Sequence, residues 1–289
     1  AFREITATNT AEGFPALAID PVSGKPLYAW QKNIDVDPEL EVQFTSDAFI
    51  TGISGYFNTA QTVFDSPFPV YPPAGGAPSL NNQFIMPTLQ IGPSPLAGMR
   101  RAYILTRNAT THTMGASENV LISYADFNGS MIEDGTPLVW STTSIPELDQ
   151  WNHDADWRNP HLALSVDNLG NLYYAGYHTA TQAGTNAVIM EPDFDVFMCD
   201  NYGQGTWTRI SEFSHIPAWN PQGTPAGSPY FTNPGGVPYP DSELFWGLIN
   251  SSHLNAITDN YGRIIIPGIW GLRSTSGEYW PQHQVVKSI

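Results

Sequence analysis

Hydrophobic and polar positions alternate along much of this chain in short runs that stop at Asp or Gly. Four runs align: Phe14-Pro-Ala-Leu-Ala-Ile-Asp20, Met86-Pro-Thr-Leu-Gln-Ile-Gly92, Asn159-Pro-His-Leu-Ala-Leu-Ser-Val-Asp167 and Ser252-His-Leu-Asn-Ala-Ile-Thr-Asp259. Period-two alternation marks a pleated strand. Each run continues through a turn containing Gly24, Gly98, Gly170 or Gly262 into a second apolar run. An Asp side chain can bond backbone two residues on, and Gly accepts positive φ, so D-x-x-G predicts a hairpin closure. Third strands are predicted over 40–45, 119–124, 193–198 and 282–287, and fourth strands over 49–53, 137–140 and 206–210.

Four antiparallel strands per repeat predict an all-β protein, a β-propeller of four blades. The fourth repeat lacks a fourth strand. Residues 2–6, Phe-Arg-Glu-Ile-Thr, match Trp207-Thr-Arg-Ile210-Ser211 in the separation of aromatic and Ile. An N-terminal strand placed in the last blade would remove an open edge and tie the ring shut. The expectation is one domain over 1–289, with blades near 14–58, 86–145, 159–213 and 252–289 plus 2–6. A fragment of a six- or seven-bladed propeller is the alternative.

The segment Cys199-Asp200-Asn-Tyr-Gly203-Gln-Gly-Thr206-Trp207 carries Asp, Gly, Thr and Trp in order. It resembles the Asp-box, S-x-D-x-G-x-T-W, of sialidase-type propellers, with one extra residue. Ser46-Asp47 and Ala125-Asp126 keep the Asp alone. The resemblance implies a structural hairpin, so Asp200 is assigned no chemistry. The blade phrasing also resembles propeller modules of large secreted bacterial surface proteins. A sialidase needs an arginine triad, a Tyr nucleophile with a Glu partner and an acid Asp, and the arginines here form no evident triad.

Composition narrows the partners. The 11 Lys and Arg against 27 Asp and Glu give a net charge of −16. Nucleic-acid binding needs cations to displace phosphate counterions, so it is excluded. No run of 18 apolar residues exists, so no helical membrane span is predicted. The single Cys199 lies in an apolar run and reads as a buried thiol. The start at Ala1, the low Lys content and sequons at Asn108, Asn128 and Asn250 point to a secreted or cell-surface location.

Long loops over 54–85, 146–159 and 213–251 are rich in Pro, Gly and aromatics. Flat aromatic faces among Asp, Asn and Gln suit a sugar platform. The candidate ligand-binding residues are Trp151, His153, Asp154, Trp157, His161, Trp219, Trp246 and His253. His161 with His153, Asp154 and Asp156 is a possible metal group, although its spacing matches no established motif. No cofactor is expected beyond calcium at an acidic turn. The expected partner is a glycan or a protein. Two other readings stand beside it: a glycosidase or lyase using a carboxylate pair such as Asp154 and Glu243, and a subunit that self-assembles into a sheath or filament.

Overall fold

The computed structural model describes residues 12–33, 40–48, 52, 55–65, 84–108, 119–148, 151–153, 162–178, 180–182, 193–213, 216–220, 230–248, 254–276 and 278–288. The proposed closing strand, 2–6, lies outside them. Four four-stranded antiparallel sheets dominate. The first joins β1 (Glu12–Ile19), β2 (Pro26–Asn33), β3 (Leu40–Ser46) and β4 (Gln61–Asp65). The second joins β5 (Phe84–Pro93), β6 (Arg100–Asn108), β7 (Val120–Phe127) and β8 (Ser141–Ser144). β9 (Trp151–His153) pairs separately with β12 (Ala180–Gln182). The third sheet orders β10 (Leu162–Val166), β11 (Leu172–His178), β13 (Asp193–Cys199) and β14 (Trp207–Phe213). The fourth orders β15 (Ile216–Pro217), β16 (Leu244–Leu248), β19 (Pro267–Ser274) and β20 (Tyr279–Ser288), beside a small hairpin of β17 (Ile257–Thr258) and β18 (Ile264–Ile265).

Three hydrophobic cores lie between successive sheets. Along β6, Ala102 and Ile104 enter the core shared with the first sheet, while Tyr103 and Leu105 enter the core shared with the third. The same division holds in the third sheet, where Leu164 and Tyr174 face back and Ala163, Ala175 and Val196 face forward to the fourth. Alternate side chains therefore feed different cores, so these strands read as nearly continuous apolar runs.

The predicted Asp–Gly turns are present. Asp20, Asp167 and Asp259 each accept backbone N–H groups of their own turns, and Gly24, Gly170 and Gly262 have φ of 70°, 84° and 75°. Each carboxylate uses part of its acceptor capacity to hold its turn. A second shared device was not anticipated. β1 and β5 each carry a register shift at an X-Pro step, with Phe14 at φ 52° and Met86 at φ 54°. Non-glycine residues rarely adopt this region. Its recurrence before Pro15 and Pro87 shows that the repeats share backbone detail as well as strand number.

Several strand assignments need correction. The fourth strand of the first sheet is not 49–53 but β4, inside the segment expected as the 54–85 loop; it buries Val63 and Phe64 and sets Phe64 opposite Val42. In the second sheet, β8 replaces the strand expected over 137–140. Leu138 is buried, and its N–H is donated to the Gln61 side chain at 2.8 Å, so this segment is tied to the first sheet. Just before it lies a short helix, α1 (Gly129–Asp134), capped by Asn128 and ended by Gly135 at φ 66°. In the fourth sheet, β16 comes from the supposed 213–251 loop and pairs with β19. Asn108 is buried and donates its amide to Asn119 at 2.8 Å, so it is not an exposed glycosylation acceptor.

Cys199 is fully buried, and burial pushes its thiol up to about 11. A thiol reagent at pH 8 should leave the native protein unmodified and label it stoichiometrically in denaturant. Fast labelling of the native protein would contradict this burial.

Candidate aromatic binding shelf

The described part of the third long loop folds around one buried side chain. Asn220 is 1% exposed. Its Nδ2 donates to the carbonyls of Phe231 and Tyr239, at 3.2 and 2.7 Å, and its Oδ1 accepts the Phe231 N–H at 3.4 Å. Asp241 accepts the Asn220 backbone N–H at 2.7 Å. One carboxamide thus joins three passes of chain. Between them, Asn233 accepts the N–H groups of Gly235 and Val237, and Gly236 sits at φ 79°, which turns the chain tightly.

Beneath the knot is an aromatic core. The Phe231 ring meets Trp280 edge-on at 5.1 Å and His283 at 5.0 Å, and Tyr239 meets Trp280 at 5.9 Å. The Tyr239 hydroxyl pairs with Ser276 at 2.6 Å. Phe231, Tyr239, Leu244 and Leu272 are buried together. Such edge-to-face packing adds direction to the burial of large rings.

The residues just before the buried Asn220 and Phe231 are exposed. Trp219 is 68% exposed, Tyr230 64% and Val237 59%. Two large rings therefore stand in solvent, each next to a residue, Asn220 or Phe231, that is held from inside. No Lys or Arg occurs between Arg209 and Arg263, while Asp241 and Glu243 are exposed nearby in sequence. This segment carries only negative formal charge.

The predicted residues are distributed as follows. Trp219 is on this shelf. Trp246 is half-buried in β16, packed against two hydrophobic cores, and its backbone faces Ile216 across the sheet. Trp151 and His153 lie on β9, opposite Gln182 and Ala180. Asp154, Asp156, Trp157, His161 and His253 lie outside the described residues, so the proposed metal group and carboxylate pair are not described. Glu243 is exposed, and its carbonyl accepts the Thr275 N–H at 3.0 Å. Among the described residues, no three His, Cys, Asp or Glu side chains converge as a metal group. No helix among them is long and apolar enough to cross a membrane. Asn220 was missed, because an Asn before Pro in a Gly-rich loop reads as a turn residue.

Several basic side chains among the described residues are committed to ion pairs. Arg100 donates to Asp20, Arg101 to Asp126 and the Tyr202 carbonyl, and Arg209 is paired with Glu147 and Asp195. No protein-family model matches the chain, and no curated protein matches it. Among solved structures it is similar to the Hadza microbial sialidase Hz136, at 13% identity and a TM-score of 0.35, over 94% of this chain and 57% of that one. A likeness of that size carries no argument about activity, and the chain spans little more than half of that protein.

Proposed function

We propose that this chain is a noncatalytic, secreted or cell-surface β-propeller that binds a neutral glycan on the shelf formed by Trp219 and Tyr230. The observation that carries this reading is the mounting of two exposed rings on the buried Asn220 knot. A rigid aromatic face stacks on the C–H face of a sugar and loses little conformational entropy in doing so. The lack of cations along this stretch favours a neutral ligand over an anionic one.

In this reading the four sheets are blades; the fourth already holds four strands, with β15 and β16 in place of the strand expected from the N-terminus, so residues 2–6 would lie on its open edge. Support comes from the cores between successive sheets and from the succession in which β1 packs on β5, β5 on β10 and β10 on β17. Closure would protect a sheet edge that otherwise invites pairing with another chain.

A glycan array tests the reading. The protein should bind neutral oligosaccharides, and Trp219→Ala should weaken that binding by about 2 kcal/mol, roughly thirtyfold, with unchanged melting. Trp246→Ala should act differently, lowering stability by about 3 kcal/mol through lost packing. Glycan binding that survives Trp219→Ala would remove the shelf from the account. Turnover of a bound glycan would overturn its noncatalytic part.

A further inference from the structure

A cavity of about 380 Å³ opens among the first strands of successive repeats. Gln90 of β5, Ser165 and Val166 of β10, and the stretch Asn255, Ala256 and Thr258 border it. Its polar side is organised. The Thr258 hydroxyl donates to the Val166 carbonyl at 2.9 Å, and Ser165 Oγ lies 3.2 Å from Thr258 Oγ1. With the Thr258 proton used on the carbonyl, Ser165 donates to Thr258 and keeps its own lone pairs available.

The spacing of the walls is also set. At Gly92 an added Cβ would lie 2.5 Å from Val166 Cγ1, so β5 and β10 touch at this point. Gln90 lies two residues back on β5, on the same strand face as Gly92. The Gln90 carboxamide is half-buried and that of Asn255 is exposed, so both can reach a molecule entering from solvent. Both border the cavity, beside the apolar Val166 and Ala256.

We infer that this cavity is a second binding site, for a small neutral polyhydroxylated molecule of about monosaccharide size. Each carboxamide offers two donors and an acceptor, which matches the paired donor and acceptor character of neighbouring sugar hydroxyls. The apolar side chains offer a surface to the C–H face. The volume falls at the small end of ligand pockets, which run from about 300 to 1,000 Å³. Among the described residues no ionisable side chain borders the cavity, which favours a neutral ligand over a carboxylate or phosphate. Neutral amides and hydroxyls also give a transition metal little reason to bind.

The cavity lining shares no residue with the shelf, and the experiment separates the two. Saturation-transfer NMR and calorimetric titration would use glucose, galactose and mannose, with glucuronate as the anionic control. At least one neutral monosaccharide should bind, and glucuronate more weakly. Gln90→Ala and Asn255→Ala should each weaken binding about tenfold, the effect of one or two lost hydrogen bonds. Trp219→Ala should leave it unchanged. Thermal melting of each variant confirms that it is folded, and the oligosaccharide titration reports whether the shelf still works. The inference is overturned if no neutral monosaccharide binds. It is equally overturned if binding persists in a folded double variant, or if Trp219→Ala alone abolishes it.

Discussion

Asp20→Ala should lower the free energy of unfolding by about 3 kcal/mol, measured by chemical denaturation. The reason lies between two sheets. Asp20 is fully buried at the end of the first hairpin, and it accepts from Arg100 of β6 in a two-point contact, at 2.7 Å for Nε. The Arg100 guanidinium also lies over the Phe127 ring at 5.0 Å. Removing Asp20 leaves that guanidinium, whose side chain is 12% exposed, without its carboxylate. It also removes the acceptor for the Val22 and Ser23 N–H groups.

The Asp259–Arg263 pair is the control. It closes an equivalent hairpin, but the Arg263 side chain is 71% exposed, and breaking the ion pair with Arg263→Gln should change stability very little. Acid gives a second view. Burial opposes ionisation of Asp20, but hydrogen bonds from Arg100, Ser23 and Val22 outweigh it and hold the carboxyl below its ordinary 3.8. Asp126 behaves alike, with burial outweighed by Arg101 and Ser94. The unfolded chain then binds protons more readily than the folded one, so this stabilisation is complete above the ordinary carboxyl value. It should be lost as pH falls from about 4 toward the lowered values, and Asp20→Ala should flatten part of that slope.

Asn220→Ala should produce the second large effect, about 2–4 kcal/mol, because it leaves three buried backbone groups of Phe231 and Tyr239 without their side-chain partner. It should also weaken glycan binding, although Asn220 itself is buried beneath the surface. Hydrogen exchange distinguishes this from general unfolding. Protection should fall over 230–241 while β6 and β7 stay protected. Uniform loss of protection would mean that the knot belongs to the global fold and not to a locally stabilised shelf.

The legibility of these features follows local chemistry. The Asp–Gly hairpins were readable because Asp and Gly act on their own backbone within four residues. The strands of the middle sheets were readable as apolar runs, but not the fact that Ala102 and Tyr103 serve different cores. β4 and β16 were hidden inside Pro-rich segments, where strand pairing is decided by partners such as Val42 and Trp270 that lie far away in sequence. α1 is only six residues long, too short to establish a helical period against the surrounding alternation. In the site, Trp219 was legible as an aromatic among turn residues. Its support was not, since nothing local distinguishes the buried Asn220 from an exposed turn Asn. Gln90 and Asn255 occupied polar positions in alternating strands, and only the packing of neighbouring repeats brings them to one cavity.

The central claim is that the indole of Trp219 carries the ligand contact. The chain has 9 tryptophans, and Trp219 alone can be assigned by comparison with Trp219→Phe in a 1H–15N spectrum of the indole Nε1 signals. On titration with a neutral oligosaccharide identified on the array, the Trp219 signal should move saturably, while the signals of the buried Trp30 and Trp270 stay in place. A saturable interaction that leaves the Trp219 signal still and persists with equal affinity in Trp219→Ala would contradict the account.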